Sequence, residues 1–471
     1  MSANTPAANL HHLLSCLSDY DPNSLPVAQA QQIIQLFVTP IDSVEKLAIR
    51  QALGRVLAAD VLSGINVPAY DNSAMDGYAF IGSDLQKKAT DNSDPTNQTL
   101  TLKVVGAAYA GRAFEGAVQP GECVRIMTGA VMPSSCDTVI PQEWTVEISD
   151  SKQATESKQS NLGNLKQIRI PAAQINAGDN RRLKGEDLAI GTTALSKGKI
   201  LRPADLGLLA SLGVAEVAVQ RRLRVAIFST GDELRSLGET LDLGCVYDSN
   251  RYTLYGMLTR LGCEIIDMGV IKDDPISLEA AFRSAGENAD AIITSGGVSV
   301  GAADYTKQMM EKLGDVAFWS IAMRPGRPMA FGKIQSNKSD QANGKGAYLF
   351  GLPGNPVAVM VSFYFFVRDA LLHMMGAGAA ESTSTTSSTS LPLVPAISSV
   401  ALRKRAGRTE YQRGIVSVAT NGQLQVSITG SQGSGILRSM SEANCMVVLH
   451  HDQADIAAGE KVDILLFEGL I

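Results

Sequence analysis

Between residues 203 and 378 short apolar runs alternate with helix-like stretches, and this rhythm constrains the fold of the 471-residue chain more than any other feature. The runs 224–228, 264–270, 289–294 and 347–350 read as strands. The stretches 249–261 and 277–287 read as helices, another starts near Asp304, and an apolar helix follows the last strand to about 375. Short strands separated by helices imply a mostly parallel sheet covered on both faces. Ligands of such sheets bind beyond the carboxyl ends of the strands. The glycine-rich and acidic turns of this region all fall there.

Two of those turns are candidate anion cradles. Ser295-Gly296-Gly297-Val298-Ser299-Val300-Gly301 follows one strand, and Gly351-Leu352-Pro353-Gly354-Asn355-Pro356 follows another. Adjacent glycines allow positive φ and close backbone approach, so successive N–H groups can converge on a phosphate. Composition alone leaves a plain tight connection between strand and helix equally open. No GxxxxGK[ST] motif is present, and no GxGxxG follows a strand, which disfavours a P-loop enzyme or a dinucleotide-binding oxidoreductase.

Acidic residues occupy equivalent turns: Asp232-Glu233, Asp273-Asp274 and Asp304. Each can serve as a helix cap, Asp274 above all, because Pro275 follows it. Gathered at one sheet edge they would repel an anion unless a divalent cation bridged them. Glu233, Asp273 and Asp304 therefore form a candidate hard-metal cluster. Arg324-Pro325-Gly326-Arg327-Pro328 is either an exposed basic turn or a pair of guanidinium forks for an oxyanion. The mixed-charge segment 181–187, which includes Asp187, is weak evidence by itself.

Elsewhere, residues 66–169 look β-rich, and 392–471 alternate as a small β-barrel or sandwich. Helical segments are expected at 27–37 and 44–57. The polar stretches 149–164 and 335–347 read as exposed loops, and the Ser/Thr-rich 380–390 as an interdomain linker. The length suggests roughly three or four domains. A net charge of −6 argues against a general nucleic-acid binder. Six scattered cysteines without a CxxC pair disfavour a disulfide framework or a zinc site. No apolar run is expected to reach the roughly 20 residues of a membrane span, and the N-terminus lacks signal-peptide character. A cytoplasmic protein without a membrane partner is expected.

Taken in order, the motifs DNSAMDGYA (71–79), RIMTGA (125–130), KGED (184–187), STGDEL (229–234), TSGGVSVG with AADYTK (294–307), RPGRP (324–328), GLPGNP (351–356), GRTEYQRG (407–414) and TGSQGSG (429–435) resemble the molybdopterin molybdotransferase, or molybdenum insertase, family. The resemblance runs from about residue 26 to 471. It implies a multidomain α/β protein: domain I (26–65 with 170–202, helical and extended, for dimerisation), β-rich domain II (66–169, completing the partner's site), α/β molybdopterin-binding domain III (203–378), a linker (379–391) and domain IV (392–471), a small β-barrel. It further implies a homodimer and the insertion of molybdate into adenylylated molybdopterin, with Mg²⁺ present and AMP released. A molybdopterin adenylyltransferase would supply the substrate, and molybdoenzymes or carrier proteins would receive the product.

Carried over residue by residue, Asp76, Thr128, Asp187, Glu233, Asp273 and Asp304 are the expected catalytic residues, with Glu233, Asp273 and Asp304 organising Mg²⁺. Ser295, Gly296, Gly297, Ser299, Pro353, Gly354, Asn355 and Pro356 are expected to hold the substrate, and Arg324, Arg327, Pro328, Arg408 and Ser434 the molybdate. The chain departs from the family in having Arg324 and Arg327 where lysines are usual, Ser320 where some relatives have lysine, and Ala358 where many have serine. Two other readings compete: a molybdopterin adenylyltransferase-like enzyme, which shares a domain like 203–378, and a non-catalytic scaffold of the gephyrin type.

Overall fold

The computed structural model describes residues 9–17, 20–86, 99–148, 167–298, 305–335, 346–378 and 391–469. Ser299, Asp304, the linker at 380–390, and most of the loops expected at 149–164 and 335–347 lie outside the described residues. The chain forms two compact units, one of residues 1–59, 197–206 and 216–471, the other of 60–196 and 207–215.

The first unit is built on a six-stranded sheet. Its spatial order is Glu264–Ile271, Arg224–Thr230, Ala291–Ser295, Ala347–Leu352, Pro328–Ile334, Gly314–Ser320. The first four strands are parallel, as their continuous apolar composition and intervening helices require. The last two form an antiparallel pair that extends the sheet and was not evident from the sequence. Close backbone packing explains Gly332 there: a Cβ would strike the Asp315 carbonyl of the neighbouring strand.

Both faces are covered. Pro275–Asn288 and Tyr305–Leu313 pack on one, where Phe228 and Phe282 meet edge-on with ring centroids 5.2 Å apart. Ser249–Leu261, the Val27–Phe37 helix and Pro356–Met374 cover the other. The last helix contradicts the expectation that no apolar stretch is long enough to span a membrane. It has 19 residues and sufficient hydropathy, but 78% of it is buried inside the molecule, so its apolar surface serves the core.

Val27–Phe37 is helical as its periodicity predicts. The helix expected at 44–57 is absent. Val44–Ala48 is instead a strand, paired antiparallel with Glu216–Gln220, and a short 3₁₀ turn, Ile49–Gln51, follows. Local propensity yields here to a partner strand far along the chain.

Residues 394–466 close into a barrel. The strand order is Thr409–Val418, Leu424–Ile428, Val394–Ser398, Lys461–Leu466, Cys445–Leu449, returning to Thr409–Val418. That long strand serves two neighbours, changing partner at Gly414, where a Cβ would meet Val426 and Cys445 side chains at 2.8 and 3.0 Å. Glycine at a barrel corner is required by this crowding. The barrel joins the rest of the unit through Met323–Arg324, which pairs in parallel with Thr409 and Glu410.

The second unit contains a six-stranded sheet ordered Thr138–Pro141, Gly77–Phe80, Glu122–Ile126, Thr99–Ala108, Gln167–Pro171, Val146–Ile148. Alternate side chains go to opposite faces. Tyr78, Phe80 and Cys123 pack on one side, and Ala79, Val124 and Ile126 on the other. The β-rich reading of this region is therefore correct.

Candidate functional site

The order of the parallel strands lays out a charge gradient along their carboxyl ends. Asp273 follows the edge strand, Glu233 the next, Gly296-Gly297 the third and Pro353-Gly354 the fourth. Arg327 comes immediately before the antiparallel strand beyond them. A cavity of about 730 Å³ runs along this edge and on to Arg408, Gln432, Gly433 and Ser434 of the barrel. The two central strands, Arg224–Thr230 and Ala291–Ser295, flank the point where strand order reverses, the usual ligand crevice of an open parallel sheet.

At the Gly296-Gly297 turn the backbone has no room for side chains. Gly296 and Gly297 have φ of +91° and +66°. A Cβ would stand 2.5 Å from the Thr230 carbonyl oxygen at Gly296, and 2.5 Å from the Thr306 side chain at Gly297. The Gly296 N–H donates to the Leu352 carbonyl at 3.1 Å, tying the two turns together.

The acidic end is under electrostatic strain. Burial pushes the Asp273 carboxyl above its ordinary range, and the nearby charge of Asp232, then of Glu233 and Asp274, adds to the rise. A hydrogen bond from Thr306 Oγ1 at 3.4 Å opposes it only in part. Such a site gains by accepting a cation. Among the described residues no three His, Cys, Asp or Glu side chains are arranged to hold a metal ion. Glu233 and Asp273 do line the same cavity, and two carboxylates with substrate phosphate and water suffice for Mg²⁺. The residues present thus fit that ion. Asp274, by contrast, caps the Pro275–Asn288 helix, accepting from the N–H groups of Ile276 and Ser277 at 3.1 and 3.0 Å.

The basic end is prearranged. Arg408 is held by Glu410, with Nε 2.8 Å from Oε1. Arg327 Nε donates to Ser320 Oγ at 2.6 Å, so the serine orients the guanidinium. Arg324 is exposed and makes no ion pair among the described residues. Gly326, with φ +100°, lets this loop lie against Ser362.

Behind these groups lies a residue the sequence reading missed. Arg413 is 1% exposed and donates to the carbonyls of Ser431, Gln432 and Gly433 and to Ser439 Oγ. Among the described residues no carboxylate neutralises it. Burial, and then the charge of Arg324, lower its pKa. Arg413 holds the loop that presents Ser434 and adds positive charge beneath it. An arginine two residues after the buried Tyr411, on an alternating strand, was the available signal.

Most of the expected residues meet in this cavity: Glu233, Asp273, Gly296, Gly297, Arg324, Arg327, Pro328, Pro353, Gly354, Asn355, Arg408 and Ser434. Ser295 is buried behind the wall, and Pro356 opens the helix beyond it. Asp76, Thr128 and Asp187 belong to the second unit. There Thr128 and Asp76 bond directly, while Asp187 sits in a turn whose N–H donates to the Val67 carbonyl and whose side chain bonds neither of them.

The doubly covered, mostly parallel sheet thus carries at one edge a cavity that runs from paired carboxylates through two glycine turns to an arginine cluster. The chain belongs to the molybdopterin molybdenumtransferase family. It is 40% identical to the molybdopterin molybdenumtransferase of Haemophilus influenzae over 427 residues, covering 91% of this chain and 95% of that protein. It is 34% identical to the Nostoc enzyme of the same name, covering 93% of each. Residues 25–213 match the MoeA N-terminal region (domain I and II), 226–373 a probable molybdopterin binding domain, and 395–467 the MoeA C-terminal region (domain IV). The crystal structure of the molybdopterin biosynthesis moeA protein from Pyrococcus horikoshii OT3 is similar to the chain with a TM-score of 0.73 and 26% identity, over 94% of this chain and 100% of that one.

Proposed function

We propose that the chain is a molybdenum insertase, which takes molybdate and adenylylated molybdopterin, places the metal in the dithiolene and releases AMP. The observation that supports this best is the single cavity with acidic and basic ends joined by two glycine turns. With the Gly296 N–H committed to Leu352, the Gly297 N–H of the same turn is the one suited to the pyrophosphate link of the adenylylated substrate. Arg324, Arg327 and Arg408, with the Ser434 hydroxyl, bind molybdate through charge-assisted hydrogen bonds. Held there, the oxyanion waits beside the dithiolene, whose two thiols bind the metal through sulfur and pass their protons to one oxo ligand, which leaves as water. Glu233 and Asp273, with Asp304, would hold Mg²⁺, and a divalent cation there would supply charge neutralisation for hydrolysis of the adenylate anhydride.

Asp76, Thr128 and Asp187 complete the site from the partner subunit of a homodimer. A molybdopterin adenylyltransferase supplies the substrate, and molybdoenzymes or carriers take the product. Six free cysteines, four of them buried, suit the reducing cytoplasm.

The test is direct. Purified protein, adenylylated molybdopterin, molybdate and Mg²⁺ are combined, and AMP and active cofactor are measured. Both products are expected only in the complete mixture, and AMP release that ignores both molybdate and Mg²⁺ would overturn the assignment.

A further inference from the structure

The Ser249–Leu261 helix starts behind the cavity, and its first turn is anchored unusually firmly. Its N-cap, Asp248, is 2% exposed and accepts from the Arg251 N–H at 3.3 Å and from Ser229 Oγ at 3.0 Å. Arg251 Nε also reaches Asp248, at 3.2 Å, while its Nη1 lies 2.9 Å from both carboxylate oxygens of Asp267. An Asp–Arg–Asp chain thus fastens the helix start to two adjacent strands of the parallel sheet.

Asn250 sits within this anchored turn and is 7% exposed. Its Nδ2 donates twice, to Ser295 Oγ and to the Gly354 carbonyl, each at 2.7 Å. Ser295 immediately precedes the Gly296-Gly297 turn, and Gly354 is the centre of the other turn. One amide therefore links both glycine turns to one rigid helix end. Among the described residues its buried Oδ1 has no partner. The amide accepts that loss because the opposite orientation would set its oxygen against the Gly354 carbonyl oxygen, which can only accept.

We propose that Asn250 is a positioning residue for the molybdopterin end of the cavity: its amide sets the spacing of the two glycine turns. Resting on the insertase reading, it predicts that Asn250 governs use of the organic substrate while leaving molybdate, bound at the arginine end, almost untouched.

Asn250→Asp is nearly isosteric but cannot donate to Gly354 when ionised. Asn250→Ser keeps a donor too short to span both turns. For each variant in the full chain, KM for adenylylated molybdopterin is expected to rise tenfold or more, with half-saturating molybdate within twofold of wild type. Amide hydrogen exchange at Gly296, Gly297 and Gly354 in substrate-free protein should accelerate at least tenfold. Unchanged exchange in either folded variant, or equal changes toward both substrates, overturns the proposal. The exchange measurement needs no substrate. A wild-type protein that releases no AMP would defeat the insertase reading and leave Asn250 to be judged by exchange alone.

Discussion

Thr128 donates both its backbone N–H and its hydroxyl to one carboxylate oxygen of Asp76, each at 2.7 Å. Those two bonds hold the Asp76 carboxyl below its ordinary pKa, so this exposed group remains an anion of fixed direction.

Asp76→Ala should abolish turnover in a protein that still folds, with Tm slightly lowered at neutral pH because both Thr128 bonds are lost. If the site is shared between subunits, a differently tagged mixed dimer of Asp76→Ala and Asp273→Asn protomers should recover about half the wild-type activity per dimer, because one of two equivalent sites escapes both lesions. A mixed dimer as inactive as its parents would place the whole site within one chain.

Arg324→Ala should raise half-saturating molybdate by roughly 10- to 100-fold, since a hydrogen bond to a charged group contributes about 1.5–3 kcal/mol. KM for adenylylated molybdopterin should hardly move. Steady-state titration of each substrate separates the two. Lysine at this position should restore the charge but only part of the affinity, because it lacks the planar fork.

Arg413→Met tests the buried cation. It leaves three loop carbonyls without their donor. An unsatisfied buried group costs about 1–3 kcal/mol, so Tm should fall by several degrees and molybdate binding weaken along with it. Arg413→Lys should rescue neither fully. Normal stability and molybdate use in both variants would remove Arg413 from the site's support.

The raised pKa of Asp273 gives a sign that can be checked. A carboxyl with a higher pKa folded than unfolded favours the folded state when protonated, and that contribution is lost as pH rises through the folded value. In chelator at pH 7, Asp273→Asn should therefore unfold at or above the wild-type temperature. The gain should vanish below the ordinary carboxylate range. AMP release should nevertheless be nearly lost. A variant less stable than wild type at pH 7 would mean that the carboxylate supports the fold.

Features set by nearest neighbours were legible along the chain. The Val27–Phe37 helix shows its 3.6-residue periodicity, Asp274 before Pro275 announces a cap, and the paired glycines after an apolar run mark the turn at 296–297. Alternation marked 392–471 as β but left barrel and sandwich equally open, and it did not mark the strand Val394–Ser398. Tertiary structure decided the rest. Val44–Ala48 became a strand because Glu216–Gln220 offered a free edge. Arg324 reached Arg408 because Met323–Arg324 pairs with Thr409–Glu410. Asn250 acquired its two partners only when three strand ends met. Periodicity and turn chemistry act within a few residues, whereas edge pairing, the burial of an unpaired arginine and the meeting of opposite charges in one cavity depend on groups that only the folded chain brings together.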